Sequence, residues 1–270
     1  MQTQSNSIDL NFSPIELHSD EIYGQINSLV QQKKYTEALA VVEKHETSQM
    51  NNPAFLLLAA QTQRERKDYN KEFKYLEKLV TINKKPRNLI LLTECLIQLS
   101  DFPRALKLLH EVLDICENQQ SILFEVYKNM GNIYLKCGDT EAAEESYHKA
   151  NRINCQDENL MVNYGVLAIQ KGNYQDAKER FSAVINLNSS SDLAWVGLAL
   201  VHRAHGDFDL ARACLLRGMD ENPYNKIAVS NYYLWCEQDY VDASTKHIEQ
   251  YIGEFPQDSE ITNLYKKMSH

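Results

Sequence analysis

The chain has 270 residues, 43% of them apolar, with nine Gly, six Pro and a net charge of −9 from 28 Lys and Arg against 37 Asp and Glu. That acidity argues against general affinity for nucleic acid, which depends on Lys and Arg displacing counterions from phosphates. There is no apolar run of bilayer length and no basic, apolar leader at Met1, so the expectation is a helical cytoplasmic protein with no membrane insertion.

In chain order, residues 1 to 12 are polar apart from Ile8, Leu10 and Phe12, whose alternation has the period of an extended segment. They read as a flexible tail. Ser13-Pro14-Ile15-Glu16 has the form of a capping box with Pro at the first helical position. From there to residue 258 the chain reads as helix pairs, with unit starts near Ser19, Pro53, Pro86, Phe124, Glu158, Asp192 and Lys226.

The register is sharpest from Phe124 to Pro223, at a spacing of 34 residues. Tyr127, Met161 and Trp195 share a slot, followed by Gly131, Gly165 and Ala199, the turn glycines Gly138, Gly172 and Gly206, then Ala143, Ala177 and Ala211, and finally Tyr147, Phe181 and Leu215. A small residue lets two helices approach closely, large residues fill the space between pairs, and Gly ends the first helix where φ must be positive. Lys34-Tyr35, Asp68-Tyr69 and Asp101-Phe102 repeat the turn slot of Asp207-Phe208 in degenerate form. Residues 117 to 121 add four to the spacing before the fourth unit, which predicts a longer helix or loop there. In the seventh unit Tyr233 stands where a small residue belongs, and Phe208 to Tyr240 is two short of the period. Residues 259 to 270, with Ile261, Leu264, Tyr265 and Met268 on one face, read as a capping helix.

This pattern resembles the tetratricopeptide repeat, in its bacterial adaptor-like members. The resemblance implies an all-α, right-handed α-solenoid of about seven tetratricopeptide helix pairs plus a C-terminal capping helix. It implies no cofactor, no metal, no catalytic residue, and a partner that is another protein held in a concave groove. Carried over by position, that groove would use Lys128, Asn129 and Asn132 in unit four, and Val162, Asn163, Val166 and Ile169 in unit five. Unit six would add Leu193, Val196 and Leu200, and unit seven Ile227, Asn231 and Leu234. Asn129, Asn163 and Asn231 share one slot, interrupted by Gly197. They form either a ladder for a peptide backbone or a run of a residue common at that slot. Lys128, Asn132 and Asn163 match half of the family's carboxylate clamp, and Leu193 and Gly197 stand where its other basic residues belong.

The apolar strip of units five to seven either binds an apolar segment of a partner or is covered in cis by the Ile8, Leu10, Phe12 tail or the terminal helix. Tyr233 and Trp235 are either core of a distorted unit or a second contact surface, with contact favoured; a homodimer through that unit is the alternative function. By analogy of fold, the pathway expected is a bacterial pilus, secretion or motility assembly. His202 and His205, with Asp209 nearby, are loosely metal-like, but His202 occupies a slot usually filled by a packed aromatic and reads as a core or surface histidine. Cys95, Cys116, Cys137, Cys155, Cys214 and Cys236 include no C-x-x-C pair and read as reduced apolar filler.

Overall fold

The computed structural model describes residues 21–32, 34–116, 119–239 and 241–268. The alternating tail and the Ser13 capping box lie outside the described residues. Among those described there are fifteen α-helices and no strand, in two units that meet at Ile133 and Tyr134. The fold is an all-α solenoid of helix pairs.

The first unit holds α1 (Glu21–Gln31), α2 (Tyr35–Gln49), α3 (Pro53–Glu65), α4 (Tyr69–Ile82), α5 (Pro86–Gln98), α6 (Phe102–Ile115) and most of α7 (Gln120–Lys136). Helix starts follow from local chemistry. Asn52 accepts from the Ala54 N–H with Pro53 as the first helical residue, and Asp68 and Asp101 accept from the N–H groups three residues on. From α1 to α6 successive helices pack on one another, and α1 also touches α3; Phe55, Leu56, Leu76, Leu89, Leu96 and Leu109 are fully buried among them. The extra residues before the fourth unit lengthen a helix: α7 has 17 residues against 13 in α5.

The first unit contains a part-buried ion cluster built around the buried Glu72. Arg64 on α3 donates to Glu72 on α4 at 2.6 Å and to Glu94 on α5 at 2.8 Å. Glu72 is buried, and burial raises its carboxyl above the usual range despite the opposing pull of the guanidinium. Cys95 lies beside it, its thiol donating to the Tyr69 carbonyl and pushed up to about 12 mainly by burial.

The second unit continues with α8 (Thr140–Ile153), α9 (Glu158–Gln170), α10 (Tyr174–Leu187), α11 (Asp192–His205), α12 (Phe208–Glu221), α13 (Lys226–Gln238), α14 (Lys246–Glu254) and α15 (Ser259–Met268). Gly138, Gly172 and Gly206 end first helices at φ of 80°, 75° and 84°, as the turn slot requires. In the first unit Lys67 and Ser100 hold the same turn at φ of 60° without being glycine. Phe181 is fully buried between α9 and α11; a Cβ on Gly165 would lie 2.6 Å from its ring, and one on Gly197 closer still. The small residues therefore set how near these two helices come.

The seventh pair departs from the rest in the structure as it does in the sequence. α10 opens 16 residues after α9 and α12 opens 16 after α11, but α14 opens 20 after α13 and has nine residues instead of 14. Tyr233 explains how so short a helix is held. Its ring is fully buried, its hydroxyl donates to the Ser244 carbonyl, and it accepts from the Ile248 N–H at 3.3 Å. Ile248 is the third residue of α14, so the hydroxyl satisfies an otherwise open first-turn donor.

α15 then packs on α13 and α14 through Ile261, Leu264, Tyr265 and Met268. Asp258 anchors its start, bonded by Lys226, Tyr251 and the Ile261 N–H. Burial pushes the Asp258 carboxyl up, but these partners outweigh it and hold it below the usual range.

Candidate functional site: the first-helix face of the second unit

The ten expected groove residues from Val162 to Leu234 lie on α9, α11 and α13, the first helices of three consecutive pairs. Helical spacing places each set on one face, and the 34-residue register repeats it. The structure divides this face by depth. Leu193 and Leu234 are exposed and Ile227 is 54% exposed; Val166, Ile169 and Leu200 are half-buried and packed on the core; Val162 and Val196 are buried. The last two are corrections: both are buried within the core cluster and offer little surface. What remains open is a run of large apolar side chains on α11 and α13.

The asparagine slot is also reassigned. Asn163 and Asn231 are half-buried on α9 and α13, and Gly197 between them makes room for the Phe181 ring. The glycine is thus a packing requirement and not a missing rung. Lys128, Asn129 and Asn132 belong to the first unit. Asn129 is buried there, with no acceptor for its amide nitrogen among the described residues, so it is not a rung open to a peptide. The Lys128 ammonium is 3.0 Å from Glu125 and lies over the Phe124 ring, which commits the charge expected for a clamp.

Tyr233 and Trp235 are core, not a second contact surface. Tyr233 caps α14 from inside, and Trp235 is buried with the Arg203 guanidinium over its ring at 5.1 Å. A large aromatic at a small-residue slot is accommodated here because the second helix of the pair starts late.

The two histidines of α11 are turned to separate neighbours. His202 Nδ1 faces the Asp207 carboxylate at 3.4 Å, His205 Nδ1 faces the Val201 carbonyl at 2.8 Å, and Asp209 is bonded by Arg212. Among the described residues no three His, Cys, Asp or Glu side chains converge as a metal site would require. Four cysteines are buried filler, but Cys137 and Cys155 are exposed, against the uniform reading, since both fall just beyond helix ends.

Sequence reasoning missed a charged knot at the turn edge of the same helices. Asp239 accepts from Arg203 at 2.6 Å and from Arg212 at 2.8 Å, tying together the ends of α11 and α13 and the start of α12. It also missed a recess of about 290 Å³ between α8, α9 and α10, lined by Tyr164 and Leu167, where Lys171 pairs with Glu144 and Arg180 with Asp176. Leu210 carries a readable signal, because it occupies the slot held by Asp176 and Ala142 in the preceding pairs.

These features define a helical-repeat scaffold with an apolar face open on consecutive first helices. Residues 124–155 and 165–226 match two models of the tetratricopeptide repeat, so the chain carries repeats of that family over these residues. A tetratricopeptide repeat protein from Parabacteroides merdae has the same fold at a TM-score of 0.61 and 15% identity, over 93% of this chain and 98% of that one. The structure titled as the functional characterisation of Pseudomonas aeruginosa pilF aligns at a TM-score of 0.55 and 14% identity, over 81% of this chain and 96% of that one. In sequence, the BBSome complex member BBS4 of Bos taurus is 31% identical over 117 residues, 43% of this chain. The chain spans 22% of the length of that relative. No helix among the described residues is long and apolar enough to cross a membrane.

Proposed function

We propose that the protein is a non-enzymatic adaptor of a multi-protein assembly that binds an apolar segment of another protein on the first-helix face of its second unit. The observation that carries this reading is the exposure of Leu193 and Ile227, one repeat apart on α11 and α13, with Leu234 exposed on the same face of α13 as Ile227. Large apolar side chains left open at repeated positions favour burial against a partner, at about 25 cal/mol per Å² of apolar surface covered. Asn163 and Asn231 offer donors and acceptors beside that row to the main chain of an extended segment. The relative named as a member of a complex supports an assembly role. Free cysteines, two of them exposed, support a reducing cytoplasmic compartment.

The test is affinity capture from the source lysate with the full chain, Leu193→Asp and Ile227→Asp, read by mass spectrometry. Both sites are exposed, so the variants are expected to fold as the parent does, whereas Leu200→Glu would also disturb the core. Loss of the same proteins from both variants supports the reading. Undiminished capture by both, with unchanged helicity, overturns it.

A further inference from the structure

In α2, α6, α8, α10 and α12 the fourth residue is alanine, and each of these, Ala38, Ala105, Ala143, Ala177 and Ala211, is fully buried. In α4 the same place is held by Glu72, which at 1% exposed is as deep as the alanines. A carboxylate there gives up its hydration at a slot where the repeat needs only a small side chain. Its surroundings are equally particular to this pair. Oε1 accepts from the Arg64 guanidinium, while Oε2 has no hydrogen-bond partner among the described residues. Arg64 is itself shared, since it also donates to Glu94.

The charges around Glu72 come from three helices. α3 supplies Arg64, α5 supplies Glu94 and Cys95, and α4 itself supplies Tyr69, on which Glu65 of α3 also acts. On α2 the acids are turned elsewhere, Glu43 to Lys71 and Glu46 to the Tyr75 hydroxyl, and on α6 Arg104 is bonded to Asp101. Burial raises both the Cys95 thiol and the Tyr69 hydroxyl, so neither adds a charge at neutral pH. One cation therefore faces two carboxylates, and with both ionised the cluster keeps an uncompensated negative charge away from water. A proton on Glu72 removes that excess and leaves Arg64 and Glu94 as a balanced pair.

We propose that Glu72 makes the joint between the second and third helix pairs a proton-sensitive element. With its carboxyl charged it competes with Glu94 for Arg64, and when it takes up a proton from solvent α3, α4 and α5 hold together more firmly. The direction follows from linkage. Burial keeps the Glu72 carboxyl above the usual carboxylate range, so the folded chain binds this proton more tightly than the unfolded one does. The stabilisation is complete below the unfolded value of about 4.3 and is lost as pH rises through the folded one. In α8, α10 and α12 the slot is alanine, so the element is confined to the first unit.

The experiment uses the full chain and takes two readings between about pH 4 and pH 8. The first is the carbon-13 shift of the Glu72 side-chain carboxyl, assigned through its own backbone. Its midpoint is expected above that of a glutamate in an unfolded chain, about 4.3, and a midpoint at or below that value overturns the proposal. The second is amide hydrogen exchange, corrected for the intrinsic effect of pH on exchange. Protection of residues 69–82 and 86–98 is expected to rise severalfold as pH falls. The rise is expected to vanish in Glu72→Gln, which stays neutral at every pH, and in Glu72→Ala, which restores the residue of the other pairs. Residues 174–187 are expected to respond alike in all three proteins. Protection that does not change with pH in the parent chain overturns the proposal, as does a rise that persists in both variants.

Discussion

The two units meet the same repeat requirements by different chemistry. In the second, the turn slot is glycine, the close approach of α9 and α11 is set by Gly165 and Gly197, and an aromatic ring fills the gap. In the first, the turns at Lys67 and Ser100 take positive φ without glycine, and an Arg64–Glu72–Glu94 cluster with Glu72 buried at its centre ties three helices together. A repeat thus fixes slots and spacing more tightly than it fixes side chains. The polar solution is the costlier one to disrupt, because removing one partner strands a charge.

The largest expected effect is on that cluster. Arg64→Met leaves the Glu72 carboxyl buried without its cation and should cost about 3–5 kcal/mol at neutral pH, measured by urea unfolding. Its sign with pH is distinctive. The carboxyl is already raised by burial, and loss of Arg64 raises it further, so the folded state takes up a proton more readily than the unfolded chain. The variant should regain stability as pH falls through the folded pKa; a deficit that stays constant or grows on acidification would show that Glu72 is not the stranded group.

Gly197→Ala tests the second unit's solution. Its Cβ would run into the buried Phe181 ring, and overpacking of this kind costs about 1–3 kcal/mol, expected as a lower melting temperature that Phe181→Leu partly restores. Tyr233→Phe removes the hydroxyl that closes the first turn of α14 and should cost about 1–2 kcal/mol. Hydrogen exchange should show the loss first in residues 246–254, and uniform loss across the unit would count against a local cap.

The turn comparison predicts a smaller effect of opposite sign. Ser100→Gly should stabilise by about 1 kcal/mol, since glycine takes positive φ freely, and Gly206→Ser should destabilise by a similar amount. The smallest effect concerns α15. Asp258 is held below the usual carboxylate range, so its contribution is present above the unfolded pKa and lost as pH falls through the folded one. Mild acid should release α15 from α13 before the rest of the unit unfolds, read as early loss of exchange protection at Ile261 and Leu264, and Asp258→Asn should remove that pH dependence.

Much of the architecture was legible from residues alone. The glycine turns, the Asn52-Pro53 and Asp101 starts, the Ala and aromatic core slots and the terminal helix are set by local rules: φ preference, capping and periodicity act within a few residues. The seventh pair was recognisable as irregular, but the hydroxyl of Tyr233 turns to its own chain, which no local rule dictates.

The candidate site was legible as a face and not as a surface. Leu193 and Val196 are three residues apart on α11, yet one is exposed and the other buried, because a neighbouring helix covers only the second. Asp239 looks like any turn acid until Arg203 and Arg212 converge on it from two other helices. Sequence by itself determined the repeat, its turns and which side chains share a helix face, since these follow from spacing along one chain. The tertiary structure decided how deeply each side chain of that face is covered, where α14 begins, and which charges are spent internally, because each depends on residues brought together from distant positions.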